Sequence, residues 1–250
     1  MKNRIVALLL TLVIAVPVIA GAGDDKTKPE NTQGTQMQTQ NGDAAHDVAK
    51  ATEVISDFAR MKEGPPKDLI QKSAAVIVIP NLMKAAFVAG GKHGEGFLTK
   101  HDASGNWSEP VAINLSGGSF GFQAGVQSAD VILVFRSKRG VDSIVNGKFT
   151  LGADASVAAG PVGRSAQAST DEQLKAEIYS YSRARGLFAG VSLDGTRLGI
   201  DNKSNQSVYG QGNTARAIFE GRAGSGSDAL VGFRDKLEES TVKQGSGPAK

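Results

Sequence analysis

Hydrophobic residues in the segment "DAAHDVAKATEVISDFARM" recur at spacings of three and four, which predicts the first helix of the chain. Asp43 stands at the N-cap position of this helix, and "GPP" at 64–66 ends it. A short helix is expected over 67–73, and the apolar run "AAVIVIP" predicts a buried strand that ends at Pro80. The residues that share the apolar face of the first helix are Val48, Ala51, Ile55 and Phe58.

From about Lys84 the hydrophobic period changes to two, which is typical of strands. The stretches "SFGFQAGV" and "FTLGADASV" alternate strictly, "ADVILVF" has the continuous apolar character of a central strand, and "GLFAGVSLDG" predicts a further strand. Helices are predicted at "GVDSIVNG", "TARAIFEG" and "SDALVGFRDKLEES". The pattern predicts one α+β domain over 43–240, in which N- and C-terminal helices flank an antiparallel β core, and a flexible tail over 241–250.

Glycine makes up 31 of 250 residues, or 12%, against about 7% in average proteins. A strand face without side chains lets another backbone pack very close, or lets the sheet curl sharply. We therefore expect the glycine-rich β core to be barrel-like, closed or nearly closed. The glycines assigned to such faces are Gly121, Gly125, Gly152 and Gly190.

The N-terminus has the three parts of a secretory signal peptide. Lys2 and Arg4 precede an apolar run, and Ala20-Gly21-Ala22 fits the small-x-small cleavage pattern. We predict a signal peptide over 1–22 and an exported protein, periplasmic or secreted and peripheral to a membrane. The alternative is an uncleaved membrane anchor, although the run is short for a span.

Residues 23–42 contain one methionine and no other large apolar residue, so they are predicted to form a disordered polar tether. The chain has no cysteine, which excludes disulfides, thiolate chemistry and acylation at an N-terminal cysteine. Removal of 1–22 would take Lys2 and Arg4 from the 28 basic residues and none of the 25 acidic ones, leaving a net charge of +1. This balance argues against a general nucleic-acid binder.

The stretch "GGSFG" at 117–121 matches the G-x-S-x-G pattern of a hydrolase nucleophile elbow. Ser119, however, lies inside a period-two run with no helix after it. The fold with this elbow has its histidine after the serine, whereas His46, His93 and His101 all precede it. The sequence therefore favours a glycine-rich strand, and no catalytic residue and no cofactor are predicted.

A metal site at His93, Glu95 and His101 is also not predicted. The three residues share the parity of one strand face, but the two histidines are eight residues apart, which is more than about 20 Å on a straight strand. Only a bend near "GKHGEG" would bring them to one ion.

Basic residues cluster in "RSKRG" and "SRARG", and two tyrosines share the strand parity of the second cluster. Tyrosine beside arginine suits a membrane headgroup boundary or a phosphate site. The alternative is a solvated strand edge that discourages aggregation. The turn "GPVGRS" adds one arginine near backbone amides that could hold an anion. The candidate lipid-binding residues are Arg136, Lys138, Arg139, Arg164, Tyr179, Tyr181, Arg183 and Arg185.

Four long motifs, "WSEPVAI", "GFQAGVQSADVILVF", "LGADASVAAGPVGR" and "YSYSRARGLFAGVSLDG", together resemble the SYLF domain family over about Ala51 to Gly224. The resemblance implies a lipid-binding module without catalytic activity, with phosphoinositide binding in eukaryotic members and actin association in fungal ones. Eukaryotic members use an amphipathic N-terminal helix at membranes, where this chain has the predicted signal peptide and tether. We expect an exported, non-enzymatic protein that binds anionic phospholipid or a membrane surface. The alternative is a cell-envelope scaffold or protein-interaction module.

Overall fold

The computed structural model describes residues 32–241 apart from 103, 148, 163–174, 185, 189 and 225–226. It describes side chains from residue 45 onward, other than those of 86–89, 119–125 and 188. The helices within these residues are α1 Thr32–Arg60, α2 Lys67–Gln71, α3 Lys138–Val145, α4 Asn202–Tyr209, α5 Ala215–Phe219 and α6 Asp228–Thr241. The strands are β1 Ala75–Lys100, β2 Val111–Phe135, β3 Phe149–Thr150, β4 Val157–Ala159, β5 Ile178–Ala184, β6 Leu187–Phe188 and β7 Arg197–Ile200.

The sheet is built on a long antiparallel hairpin of β1 and β2, which pair from Ala75↔Phe135 to Leu98↔Val111. On its other edge, β2 pairs with β7 near its start and with β5 near its end. The order is β3-β7-β2-β5-β4, with β1 added to β2 and β6 to β5, and the short β4–β5 pairing is the parallel one. The prediction of an α+β fold around a largely antiparallel sheet is confirmed, and "ADVILVF" is a central strand with partners on both edges.

The sheet curls into a half-barrel because β1 folds back onto itself. A Cβ atom built on Gly94 would lie 2.9 Å from Ile79 Cγ2, and one built on Gly96 would overlap the Val78 carbonyl oxygen and lie 3.0 Å from Ile79 Cα. A straight strand of this length would extend roughly 85 Å. The contacts show instead that its second half packs directly against its first half. The barrel-like character predicted from glycine content is therefore confirmed.

The bend begins at a bulge between Ile79 and Leu82. Pro80 has no N–H to donate to the sheet, and Asn81 takes a left-handed φ of 54° while its N–H donates to Asp130 Oδ1 at 3.0 Å. The prediction that a strand ends at Pro80 is wrong, because the proline interrupts the ladder only locally and β1 continues to Lys100.

Two of the glycines predicted to permit close packing on a strand face lie elsewhere or have space around them. Gly152 has a φ of +83° in the turn after β3, where a Cβ would lie 2.5 Å from Asp194 Oδ1, and a Cβ on Gly190 would have open space around it. Gly121 and Gly125 lie in β2, within the stretch described only as backbone. The turn at Gly152 also overturns the prediction of one strand over "FTLGADASV". Asp154 Oδ2 accepts from the Thr150 N–H at 2.6 Å and closes this turn, so β3 and β4 are separate.

Two hydrophobic cores lie on opposite faces of the sheet. The inner core fills the curl and is closed by α3 and α5, and the outer core lies under α1, α2 and α6. The predicted apolar face of α1 is confirmed, since its members are at most 2% exposed: Val48, Ala51, Ile55 and Phe58. The predicted helices after residue 64 are observed as α2, α3, α5 and α6, whereas "GLFAGVSLDG" forms only the two-residue β6.

Helix α1 begins at Thr32, eleven residues before the predicted N-cap Asp43. Its first part is rich in glutamine, a good helix former, and propagation adds residues readily once a buried turn exists. The helix therefore extends into the segment predicted to be a tether, residues 23–42. The remainder of that segment, the predicted signal peptide and the end of the predicted tail lie outside the described residues.

Helix α4 was not predicted, because its sequence is mostly polar. The Asp201 side chain caps it by accepting from the N–H groups of Lys203 and Ser204, both at 3.0 Å. The buried Asn205 side chain exchanges hydrogen bonds with the Ala112 backbone and fixes the helix on β2.

The fold-back of β1 makes a testable prediction. We expect Gly96→Ala to lower the free energy of unfolding by about 3 kcal/mol or more, since the new methyl group would meet backbone that cannot move aside. Gly91→Ala is the matched control in the same strand, because its Cβ would have only the Gly117 carbonyl oxygen at 3.8 Å. Urea denaturation of both variants measures the difference. An equal effect of the two changes would contradict the fold-back.

Candidate functional site

The predicted row of Tyr179, Tyr181 and Arg183 does share one face of β5, but that face lies beneath α1. Both tyrosines belong to the outer core, and Tyr181 is fully buried. Burial raises the pKa of the Tyr181 hydroxyl, which donates to the Pro161 carbonyl oxygen at 3.3 Å. The tyrosines are therefore not accessible to a lipid surface in this structure.

Arg183 connects α1 to the sheet. Its Nη2 lies 2.5 Å from Asp57 Oδ2 of α1 and 2.9 Å from Asp130 Oδ2 of β2, and Nε donates to the same Asp130 oxygen at 2.9 Å. The guanidinium also lies 5.8 Å from the centre of the Phe58 ring. Because two carboxylates neutralise it, a lipid phosphate would have to displace them to bind here.

The other predicted basic cluster lies at the opposite end of β5. Lys138 and Arg139 are exposed at the start of α3, and the Arg136 N–H donates to the Glu177 carbonyl oxygen at 2.9 Å. Glu177 immediately precedes β5 and Arg183 lies near its end, a separation of roughly 20 Å along an extended strand. The structure therefore does not bring the two clusters together. Arg164 and Arg185 lie outside the described residues.

The backbone around Ser119 does not form a nucleophile elbow. Residues 117–121 lie inside β2, which continues as a strand to Phe135, whereas an elbow needs a sharp strand–turn–helix. Among the described residues, no group of three histidine, cysteine or acidic residues could hold a metal ion. His93 pairs with Glu95 at 3.9 Å, while His101 stacks on Trp107 with ring centres 3.7 Å apart.

A groove of about 280 Å³ with mixed polar and apolar walls lies between α1, α4 and the β1–β2 hairpin. Its charged groups mostly face partners of their own: Asp47 pairs with Lys50 at 3.4 Å, His93 with Glu95, and Asp201 caps α4. This arrangement leaves no obvious acid, base or nucleophile for chemistry. Sequence reasoning missed the groove because α4 lies more than 100 residues along the chain from the α1 and β1 residues that form its other walls.

The most unusual surface lies at the middle of the β1–β2 ladder, next to the bend in β1. Across the residues whose side chains are described, three large hydrophobic side chains are exposed, and all lie in this region: Met83 (47%), Val126 (67%) and Leu187 (73%). Met83 pairs with Ser128, two residues from Val126 in β2. Leu187 of β6 pairs with the last residue of β5, and β5 in turn pairs with β2 close to Val126. Strand spacings place Leu187 roughly 15 Å from Val126.

The two faces of this region are both apolar. Val126 shares the alternation of Ile132 and Val134, so it points to the face that α1 covers farther along. Leu187 pairs with Ala184, next to Arg183, and therefore lies on the opposite face. Beyond them, residues 85–91 and 117–126 continue as paired strand with the sequences "AAFVAGG" and "GGSFGFQAGV", which contain no charged residue. We call this region, residues 83–91 and 117–128 together with Leu187, the hairpin end.

Sequence reasoning identified the alternating apolar pattern of the hairpin end but assigned it to the core. The missing signal was tertiary, since what covers a strand face depends on how the helices pack on the sheet. None of the described helices combines the length and apolarity that a membrane span requires.

Comparison with known proteins gives a consistent set of relatives. The family model described as "Ysc84: Las17-binding protein actin regulator" matches residues 116–239. The chain is 31% identical over 185 residues to LAS seventeen-binding protein 3 of Saccharomyces cerevisiae, covering 70% of this chain and 40% of that protein. It is 32% identical over 186 residues to Protein YSC84 of the same organism, covering 70% and 39%. It is also 32% identical over 169 residues to SH3 domain-containing YSC84-like protein 1 of Xenopus laevis, covering 65% and 50%. The chain thus spans 39 to 50% of the length of these relatives.

The position of Arg183 leads to a prediction about stability. Arg183→Gln would leave two neighbouring carboxylates without their cation, so we expect the free energy of unfolding to fall by about 2 kcal/mol. Arg197→Gln, at an exposed position on β7, should stay within about 0.5 kcal/mol of the wild type. Chemical denaturation compares the two variants. If the Arg183→Gln variant were as stable as the wild type, these ion pairs would not be what holds α1 on the sheet.

Proposed function

Because the chain belongs to the SYLF (Ysc84) domain family, we propose that it is a non-enzymatic protein that binds membrane surfaces and recognises anionic lipid headgroups. Its relatives are named as binding and regulatory proteins, and none of the three carries the name of an enzyme. The observation that carries the membrane proposal is the hairpin end, with its exposed Met83, Val126 and Leu187. Exposed apolar side chains concentrated in one region of a protein mark a surface that binds something.

Apolar side chains on both faces of the hairpin end favour insertion over docking. A protein partner that docks on a sheet covers one face, and Leu187 and Val126 could then not both be buried. A lipid interface surrounds an inserted element and can cover both faces together. The strands of the hairpin end are paired with each other, which limits the number of unpaired backbone groups that would enter the interface.

Basic residues flank the hairpin end at the depth where headgroups would lie. Lys84 follows Met83 directly, and Lys92, which is 7% exposed, follows Gly91 within β1. Each basic side chain near an anionic surface contributes about 1 kcal/mol to binding. The predicted candidates Lys138 and Arg139 lie at the opposite end of the sheet, so one membrane cannot readily use both regions.

A protein partner is the second candidate function. The name of one relative refers to binding Las17, the family description refers to binding Las17 and to actin regulation, and a Xenopus relative is named as containing an SH3 domain. In this case the chain would serve as a scaffold or interaction module, and the exposed groove or the hairpin end would contact protein. Stable co-purification of a partner, with no binding to vesicles, would favour this function.

We expect Val126→Asp to weaken binding to anionic vesicles by about tenfold or more. The change removes apolar burial of about 1.5 kcal/mol and adds a charge repelled by the surface. Met83→Asp should act in the same direction. Vesicle co-sedimentation measures the effect, with circular dichroism as a fold check.

Two control variants separate this proposal from the alternatives. Ala158→Asp places the same charge at an exposed strand position far from the hairpin end, and it should leave binding unchanged. Lys138→Gln/Arg139→Gln tests the other basic cluster. Loss of binding in the latter variant, with normal binding of Val126→Asp, would move the membrane contact to α3.

Export is a further part of the proposal, and the sequence of residues 1–22 alone supports it. We expect mass spectrometry of the protein from its native source to find an N-terminus near Gly23. An intact Met1 in the membrane fraction would favour the uncleaved anchor.

A further inference from the structure

Met83 and Val126 are neighbours on one exposed face of the β1–β2 ladder. Met83 pairs with Ser128 of β2. The next pair on the same face, two residues along each strand, is Ala85 with Val126. Met83 and Val126 are therefore diagonal neighbours about 7 to 8 Å apart, a distance that long side chains bridge. Both are exposed, to 47% and 67%, and Ala85 is exposed as well, so the three side chains form one apolar patch.

The thioether of Met83 is accessible to small solutes. The structure describes the side chains of two methionines, and the other one, Met61, is half-buried and packs against the outer core. Met83 lies on an open strand face and also lines the groove between α1 and α4. A solute dissolved in water can therefore approach Met83 both across the patch and through the groove. Met1 and Met37 precede the residues whose side chains are described.

A thioether in such a position can be oxidised by a peroxide. The sulfur attacks one oxygen of hydrogen peroxide, so an S–O bond forms while the O–O bond breaks. The departing hydroxide takes the proton from the attacked oxygen and leaves as water. The sulfide is thereby oxidised to a sulfoxide and the peroxide is reduced. Because the chain has no cysteine, it has no thiol that would compete for the oxidant.

The sulfoxide would change the character of the patch. Oxidation converts a flexible apolar side chain into a polar one. The new oxygen would lie beside Val126, on the face that we propose enters the lipid interface. Moving a polar group out of water without a hydrogen-bond partner is unfavourable, and the gain from burying the apolar thioether is lost at the same time. Oxidation of Met83 would therefore oppose insertion of the whole patch.

We propose that Met83 is an oxidative modification site, and that formation of its sulfoxide releases the protein from membrane surfaces. The inference rests on the proposed membrane function and names its regulation. Reversal requires a reductant from outside the chain, which has no cysteine of its own. A methionine sulfoxide reductase supplies this reaction, since it removes the oxygen as water while a dithiol is oxidised to a disulfide.

The test exposes the full chain to dilute hydrogen peroxide and follows each methionine by peptide mass spectrometry. We expect Met83 to gain one oxygen faster than Met61, because Met83 is the more exposed. Binding of the oxidised protein to vesicles of phosphatidylcholine and phosphatidic acid should be weaker by about tenfold. Treatment with sulfoxide reductases for both epimers, with dithiothreitol as the dithiol, should restore the binding.

Variants at the methionines separate Met83 from the other oxidation sites. Met83→Leu keeps the volume and the apolar character, so it should bind vesicles like the wild type and keep that affinity in peroxide. Met83→Gln imitates the polar sulfoxide and should bind about tenfold more weakly without any peroxide. Met61→Leu and Met37→Leu are the matched controls. Both leave Met83 in place, so their binding should remain sensitive to peroxide.

Thermal melting distinguishes a change of surface from a loss of fold. Oxidation of the exposed Met83 should leave the melting temperature unchanged, whereas oxidation of Met61 should lower it because Met61 packs against the outer core. In Met61→Leu, peroxide should therefore weaken vesicle binding without changing the melting temperature. A loss of binding in that variant that follows a fall in melting temperature would overturn the inference.

The remaining outcomes separate the modification from the membrane function. Equal oxidation rates of Met83 and Met61 overturn the inference and leave the membrane function in place. The same holds for unchanged vesicle binding after full oxidation of Met83, and for a peroxide effect that persists in Met83→Leu. If the unoxidised wild type does not bind vesicles, the membrane function is overturned and the release step with it, while faster oxidation of Met83 than of Met61 still supports the modification site.

Discussion

The close approach of β1 to itself, at Gly94 and Gly96 against Val78 and Ile79, is the constraint on which the rest of the structure depends. A side chain at either glycine would keep the two halves of the strand apart, and the sheet would open. With the halves in contact, the inner face becomes a closed apolar interior, and the outer face becomes a convex surface that α1, α2 and α6 cover. The same bend lies next to the exposed Met83 and Val126 in the middle of the hairpin.

Arg183 shows how this architecture determines which chemistry is available. On the outer face it lies between a helix and a strand, with a carboxylate from each. Its charge is used to hold the helix on the sheet. On the inner face, Lys92 occupies the open end of the curl and has one carbonyl partner among the described residues. Lys92 is 7% exposed, so both cations are held inside the fold and contribute to its internal contacts.

The sequence was informative wherever the determining contacts were local. The apolar face of α1 followed from the spacing of Val48 and Phe58, and the common face of Tyr179, Tyr181 and Arg183 followed from strand parity. What covers a face is a tertiary property, and parity could not show that α1 lies over the tyrosines. The bulge at Pro80 and the roles of Gly94 and Gly96 depend on strand register. The polar helix α4 depends on an Asp201 cap and a buried Asn205, which hydrophobic periodicity does not detect.

The magnitudes explain why an apolar contact and a phosphate contact would occur together at this end of the sheet. Met83, Val126 and Leu187 are about half to three-quarters exposed, so inserting them would contribute about 1 to 2 kcal/mol each. A total of about 4 kcal/mol gives only millimolar binding, and a single weak hydrophobic anchor is reversible in general. Stable attachment to a membrane takes a second signal. Contact between anionic headgroups and the half-buried Lys84, which lies in the same part of β1, would supply it. The apolar part would be insensitive to salt and the phosphate part sensitive to it, so the attachment would persist at high ionic strength in weakened form.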